Sequence, residues 1–435
     1  MSTLSGPKGT RDFYPEEMAF QQFIFDSWKK TCTRYGFELY DAPMFEHLEL
    51  YTQKSGTEIE KQLYTFEDKS QRKMALRPEL TPSLARMVAQ QGTNIKHPTR
   101  WYSIPRLFRY EKMQKGRLRE FFQLNMDILG IADVDADAEL IAAVIDMMRD
   151  LGFTSDDFKV RISSRTLLDE LFSASGLSKD QSSQLYALLD KKGKIDESQF
   201  HLELGQIIPE KDAAAKITSF FSTATLEGIG KISGETPSIS TLKSLFSLLA
   251  SYNFSDYVMF DIGIVRGLAY YTGIVFEVFD SKKNFRAIAG GGRYDKLVGL
   301  YGGPSTPAVG FAAGDVVLGE LLKDKGLQPS QPPRSSVYIV SLSDVPKSNV
   351  IAVAQKLRDN NISCEFSLKN CNIGKQLKSA NAARASFTVF IGGDEAISGN
   401  VRIKDMNTGN EIVVKEDQLI PELKLKIQSL KLGSI

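Results

Sequence analysis

The chain has 435 residues, 42% of them hydrophobic, enough for two or three packed domains. Its 54 Lys and Arg against 53 Asp and Glu leave a formal net charge of +1, so global charge argues neither for nor against nucleic acid. Three cysteines, Cys32, Cys364 and Cys371, give neither a disulfide framework nor metal-ligand spacing, and the start of the chain shows no apolar leader and no later membrane-length run. A reducing, cytoplasmic setting with no membrane is expected; an organellar address is left open.

In chain order, Pro15 to Gly36 reads as an amphipathic helix, with Met18, Phe20, Phe23, Ile24, Trp28 and Cys32 near helical spacing and Gly36 at its C-cap. A strand toward Pro43 follows. Trp101 to Glu111 and Glu120 to Leu129 suit antiparallel strands. Asp133, Asp135 and Asp137 offer caps for a helix from Ala138 to Leu151. A polar helical stretch then runs from Thr166 to Glu235, and strand character returns over Tyr257 to Asp280 and Phe285 to Ala289. The Pro- and Ser-rich segment 326–336 is a linker. Beyond it, strands at Val337 to Leu342, Ser363 to Phe366 and Ser386 to Ile391 alternate with helices at Val350 to Asn360 and Gly374 to Arg384, predicting a small α/β domain.

The chemistry concentrates in two arginine-bearing stretches. One is Phe108-Arg109-Tyr110-Glu111, a basic loop, then Arg117-Leu118-Arg119-Glu120-Phe121; the other is Arg266-Gly267-Leu268-Ala269-Tyr270-Tyr271-Thr272-Gly273. From Lys96 to Glu120 there are eight Lys and Arg against two Glu, interleaved with Trp101, Tyr102, Phe108, Tyr110, Phe121 and Phe122. A basic run is usually a solvated face. Aromatic interleaving predicts instead partly buried arginines, which need anionic partners. Arginine forks take phosphate oxygens, and a phenylalanine face suits adenine. No G-x-x-x-x-G-K-S/T loop is present, so a nucleoside triphosphate would be held without one.

The F-R-x-E, loop, R-x-x-x-F pattern resembles motif 2 of class II aminoacyl-tRNA synthetases, and R-G-L-A-Y-Y-T-G resembles the signature of the histidyl-tRNA synthetase family. Lys8-Gly9-Thr10-Arg11-Asp12-Phe13, Arg77-Pro78-Glu79-Leu80-Thr81 and Gly290-Gly291-Gly292-Arg293-Tyr294-Asp295 agree, in the family's order. The resemblance implies an α+β catalytic domain, an antiparallel sheet flanked by helices, with a helical insertion and a C-terminal α/β anticodon-binding domain. Gly374 to Lys378 and Val401 to Asp405 carry the last likeness. The implied boundaries are 1–165 and 236–325 for the catalytic domain, 166–235 for the insertion, 326–336 for the linker and 337–435 for the anticodon-binding domain. The first helix and strand become motif 1, implying a homodimer; read without the resemblance, they are an ordinary helix packed on its own sheet.

The implied activity is histidine–tRNA ligation. L-Histidine is activated by ATP, with Mg²⁺, and passed to the 3′ end of tRNA(His). A carboxylate attacking the α-phosphorus of ATP needs no general base, only positioning and charge stabilisation. The three histidines, His47, His97 and His201, lie in no motif, which disfavours triad hydrolysis and His-ligated metal catalysis. By resemblance, Arg109 and Arg266 approach the α-phosphate from opposite sides. Arg109 and Glu111, Arg117 and Phe121 hold ATP. Glu79, Thr81, Arg109, Gln123, Asp127, Arg266, Tyr270 and Tyr271 hold histidine, with Arg109 at its carboxylate and the acidic side chains toward its ammonium. Gln114 meets tRNA, and the glycine run with Arg293 and Tyr294 forms the pocket floor. No metal ligands are implied.

The chain departs from the pattern in three places. Asp127 stands where glutamate is usual, and Ala269 where aspartate is frequent. In motif 3, expected as G-x-D/E-R, Gly314 and Asp315 are followed by Val316 and Val317. The missing arginine removes a cation–π contact worth ~0.5–2 kcal/mol and a phosphate-facing charge. It raises an alternative, a catalytically silent paralogue serving as a histidine- or tRNA-binding regulatory subunit. Such a paralogue would be free to lose Glu79, Arg109, Glu111 and Arg266, all of which are present.

Overall fold

The structure is a computed structural model that describes residues 4–52, 62–190, 195–223, 225–266, 270–282, 284–329, 333–342, 345–393 and 399–432. The chain divides into two compact units, Met1–Pro329 and Ser330–Ile435.

The first unit is built on one mixed sheet, in chain order β1 (Glu38–Leu39), β5 (Thr99–Ser103), β6 (Arg106–Phe108), β7 (Glu120–Leu129), β8 (Phe158–Ser164), β9 (Val258–Phe260), β10 (Ile274–Asp280), β11 (Ala289–Arg293) and β12 (Ala308–Gly314). Across the sheet the order is β1-β5-β7-β12-β11-β10-β8-β9, with β6 beside β7. From β5 to β8 every pairing is antiparallel; only the edge pairs β1–β5 and β8–β9 are parallel. A small sheet of β2 (Phe45–His47), β3 (Thr65–Glu67) and β4 (Lys73–Leu76) lies apart, in the order β2-β4-β3.

The helix Pro15–Arg34 buries Gln21, Ile24, Trp28, Thr31 and Cys32, one face at intervals of three and four residues. Its partners belong to the same core as the helix Asp135–Asp150 and the sheet, so the face is satisfied within this chain. Asp135–Asp150 starts three residues before the expected Ala138 and buries eleven of its residues. Asp137 caps nothing. It lies inside the core, paired with Arg293 of β11, because a buried carboxylate needs a fixed cation more than a helix needs another cap. The strand expected over Trp101 to Glu111 is broken at Ile104 and Pro105 into β5 and β6, since proline cannot donate to a ladder.

Among the described residues of 165–251 there are six helices, from Arg165–Ala174 to Pro237–Ser251, within the first unit. Gly290, Gly291 and Gly292 are not a turn. They pair with Glu277, Phe276 and Val275 on one side and with Ala312, Phe311 and Gly310 on the other. Glycine belongs in this strand because a methyl on Gly291 or Gly292 would overlap neighbouring backbone.

The N-terminal segment reaches across the start of β7. Gly9 O accepts from Arg119 N at 2.9 Å and Glu120 N at 3.2 Å. Arg11 meets Asp315 at 2.7 Å, and Asp315 accepts from Phe122 N at 3.0 Å.

The second unit carries a sheet in the order β14-β13-β15-β16-β17. Strands β13 (Val337–Ser341), β14 (Cys364–Phe366) and β15 (Phe387–Ile391) are parallel, as expected of a strand–helix repeat. Strands β16 (Asn400–Asp405) and β17 (Glu411–Lys415) extend it as an antiparallel pair, and the helix Leu419–Leu432 follows.

Candidate active site

A concave site opens on the first sheet, and eight of the expected residues line it: Glu79, Thr81, Arg109, Gln123, Asp127, Arg266, Tyr270 and Tyr271. They come from four separate places. Glu79 and Thr81 enter the helix Thr81–Gln91. Arg109 directly follows β6, Gln123 and Asp127 share one face of β7, and Arg266, Tyr270 and Tyr271 precede β10. Asn125, Tyr294 and Gly310 also line it. Asn125 could have been read from the alternation of β7, whose other face, Leu124, Met126 and Ile128, enters the core.

Arg77 builds the Glu79 corner. Its guanidinium is buried and donates to Asp41 Oδ1 and Ala42 O, both at 2.7 Å, and to Arg106 O at 3.1 Å. Arg109 Nε donates to Pro78 O at 2.8 Å, which ties the end of β6 to the same corner. Glu79 accepts from Tyr270 Oη at 2.8 Å through Oε2, while Oε1 is buried without a hydrogen-bond partner. Burial pushes the Glu79 carboxyl above its ordinary range, against the pull of Arg109, Tyr270 and Arg266. A buried, half-satisfied carboxylate of this kind suits a ligand that brings a cation.

Asp127 accepts from Tyr294 Oη at 2.6 Å. Burial pushes its carboxyl up to about 7, opposed by that hydrogen bond. Gly310, directly across the ladder from Asp127, leaves the room that the carboxylate occupies.

Arg266 has φ 51°, left-handed for a residue with a Cβ, a cost of order 1–3 kcal/mol that the surrounding structure must hold in place. Its Nη1 meets Glu277 Oε1 at 2.7 Å and its Nε is buried without a hydrogen-bond partner. Its pKa is raised; burial opposes the shift, and Tyr271 and Glu277 outweigh it. Gly267, Leu268 and Ala269 lie outside the described residues, so the frequent aspartate position at Ala269 has no structural account.

The expected nucleotide residues flank a hairpin at the start of β7. Arg109 N pairs with Arg119 O at 2.9 Å, and the Arg109 guanidinium lies 5.4 Å from the centre of the Phe121 ring. Arg117 meets Glu111 at 2.8 Å. The aromatic interleaving buries only part of the basic run: Arg106, Arg109 and Arg119 are half-buried, whereas Lys112 to Lys115 and Arg117 are exposed. Gln114 sits at the loop tip, bonded to Arg286, a residue with no role expected from the sequence. Arg293 faces away from the pocket, toward Asp137 and the carbonyls of Ile131 and Asp133; the floor belongs to Tyr294. Val317 is buried on the helix Asp315–Asp324, beneath Gly116 of the loop. Among the described residues no group of three or more His, Cys, Asp and Glu could hold a metal ion, and no helix is long and apolar enough to cross a membrane.

Residues 9–315 match the family model "Histidyl-tRNA synthetase", and residues 336–426 match "Anticodon binding domain". The chain is 40% identical to the histidine–tRNA ligase, chloroplastic/mitochondrial, of Arabidopsis thaliana, over 96% of this chain and 86% of that one. It is 38% identical to the histidine–tRNA ligase of Leptospira biflexa, over 97% and 98%. Among solved structures it is similar to histidyl-tRNA synthetase from Nostoc sp. PCC 7120, with TM-score 0.83, 25% identity and coverage of 98% and 100%.

Proposed function

The chain belongs to the histidyl-tRNA synthetase family, and from that premise we propose how its pocket serves the ligation of histidine to tRNA. The protein is an ATP-dependent histidine–tRNA ligase, as its relatives over nearly the full chain support.

Along β7, Gln123, Asn125 and Asp127 line the pocket, and strand alternation puts Phe121 on the same face, about 7 Å for each second residue. Adenine goes to the Phe121 end, with Arg117 and Glu111 toward the ATP. The carboxylate of histidine must meet the α-phosphate beside Arg109 and Arg266. The amino acid therefore runs from Gln123 toward Asp127. Glu79, with its unpartnered oxygen, takes the ammonium together with Thr81 and Gln123. Asp127, held by Tyr294, lies farthest from the phosphates and takes an imidazole N–H beside Tyr270 and Tyr271. This revises the expectation that both carboxylates face the ammonium.

Arg109 and Arg266 are the catalytic residues of this reading. Two fixed cations on a pentavalent phosphorus stabilise charge that grows in the transition state, and their positions cost no reorganisation during reaction. Mg²⁺ enters with ATP as its companion. Among the described residues no group of three or more His, Cys, Asp and Glu is placed to hold it. The second unit, as an anticodon-binding domain, supports tRNA recognition, and tRNA(His) with a Gln114 contact completes the substrate set. The helical segment 166–235 acts as an insertion, the segment 326–336 as a linker, and the protein as a homodimer. Exposed Leu39, Met44, Phe45 and Phe66 support the last reading. The cytoplasm is the proposed compartment, with an organellar address open beside it.

The observation that carries the reading is the convergence of Glu79, Asp127, Arg109 and Arg266 on one pocket. The test is exchange of pyrophosphate into ATP, with each amino acid offered separately. Exchange dependent on histidine alone supports it; histidine binding without exchange would favour the regulatory paralogue.

A further inference from the structure

The geometry points to Arg286 as a contact for the triphosphate tail of ATP, supplying from the segment before β11 the charge that Val317 leaves out of motif 3. This rests on the nucleotide placement proposed above and goes beyond it, since no motif assigns Arg286.

Three observations place it. Arg286 lies just before β11, where Gly314 N donates to Ile288 O at 3.3 Å, so its segment runs beside the entrance to the helix Asp315–Asp324. The same hairpin loop touches both positions: Gly116 lies over the Val317 side chain, and two residues earlier Gln114 Oε1 accepts from Arg286 Nη2. The guanidinium of Arg286 and the side chain at 317 thus share one neighbourhood at the nucleotide end of β7.

Charge supplies the third. Burial and then Arg117 lower the pKa of Arg286, with Glu111 acting the other way. Lys115 adds another cation, 4.8 Å from the centre of the Phe285 ring. Two guanidiniums close enough to disfavour each other, with Lys115 alongside and one carboxylate already paired to Arg117, form a site short of negative charge. A polyphosphate corrects that shortage; a nucleoside or monophosphate does so much less.

The test compares ATP and AMP binding to the wild type and to Arg286→Ala by calorimetry, with histidine binding as a third titration. One side-chain contact to a charged oxygen predicts ATP affinity falling about 10- to 100-fold, AMP affinity changing less than about twofold, and histidine affinity unchanged. Arg286→Lys keeps the charge but not the fork, and falls between. An ATP loss under about twofold, an equal loss for ATP and AMP, or a wild type that binds no ATP would overturn the proposal. Failure of histidine-dependent exchange by the wild type would sink the ligase mechanism instead, and the ATP-against-AMP contrast would still judge Arg286.

Discussion

Glu277 and Arg266 meet at 2.7 Å, and the glycine opposite Glu277 in the ladder, Gly290, is where the guanidinium rests. A methyl on Gly290 would overlap Arg266 Nη1 and press on Glu277. The cation is thus seated in a place that a side chain would otherwise fill.

Gly290→Ala should therefore displace the guanidinium and slow adenylation by about 100-fold, the usual penalty for an ångström of misplacement. Histidine affinity should change far less. Single-turnover adenylation beside histidine titration checks this, and equal losses in both would show that the glycine merely supports the sheet.

Glu277→Gln keeps the shape and removes the charge that fixes Arg266. Its effect should fall on kcat more than on the KM for either substrate. A change confined to KM would mean that Arg266 acts in ground-state binding.

Glu79→Gln removes the carboxylate assigned to the ammonium. The KM for histidine should rise about tenfold or more, from the loss of a charge-assisted contact, with little change in the KM for ATP. Exchange assays with each substrate varied in turn would separate the two.

Asp127 gives a pH signature. Its folded pKa of about 7 lies above the ordinary 3.8, so without ligand the native state holds a proton that the unfolded chain has released. Stability from this group is complete below about pH 4 and is lost as pH rises toward about 7. Asp127→Asn should raise the melting temperature of the ligand-free protein at about pH 8 and leave it nearly unchanged at about pH 4. A pH-independent difference would contradict the burial argument.

Asp137→Ala takes from Arg293 its nearer and more buried carboxylate and leaves Asp295 at 3.4 Å. Removing one partner of a buried pair costs about 3–5 kcal/mol, measurable as a lowered denaturant midpoint.

Much of the site was legible because its residues sit in short contiguous patterns: Arg109 with Phe121, Arg266 with Tyr270 and Tyr271, Glu79 with Thr81. Tyr294 was legible only as part of a floor, since its bond to Asp127 joins residues 167 apart. Glu277 and Arg286 left no local signal; each matters through a partner that only the sheet brings near. Asp137 looked like a cap because a carboxylate before an apolar run usually is one, and its burial depends on Arg293, 156 positions away. The triple glycine was expected in the pocket floor, whereas close approach of neighbouring strands is what requires it.

The bridge from Arg11 to Asp315 also orders events in time. The two residues are 304 positions apart, so on the ribosome the early segment emerges long before its anchor exists. Until Asp315 and its helix have been made, Arg11 lacks its carboxylate and only the Gly9 bonds to Arg119 and Glu120 hold the segment. A nascent chain arrested short of that point would carry the strands of the nucleotide hairpin without the brace across their base. Competence to hold ATP should then arise only after Asp315 and its helix have left the tunnel.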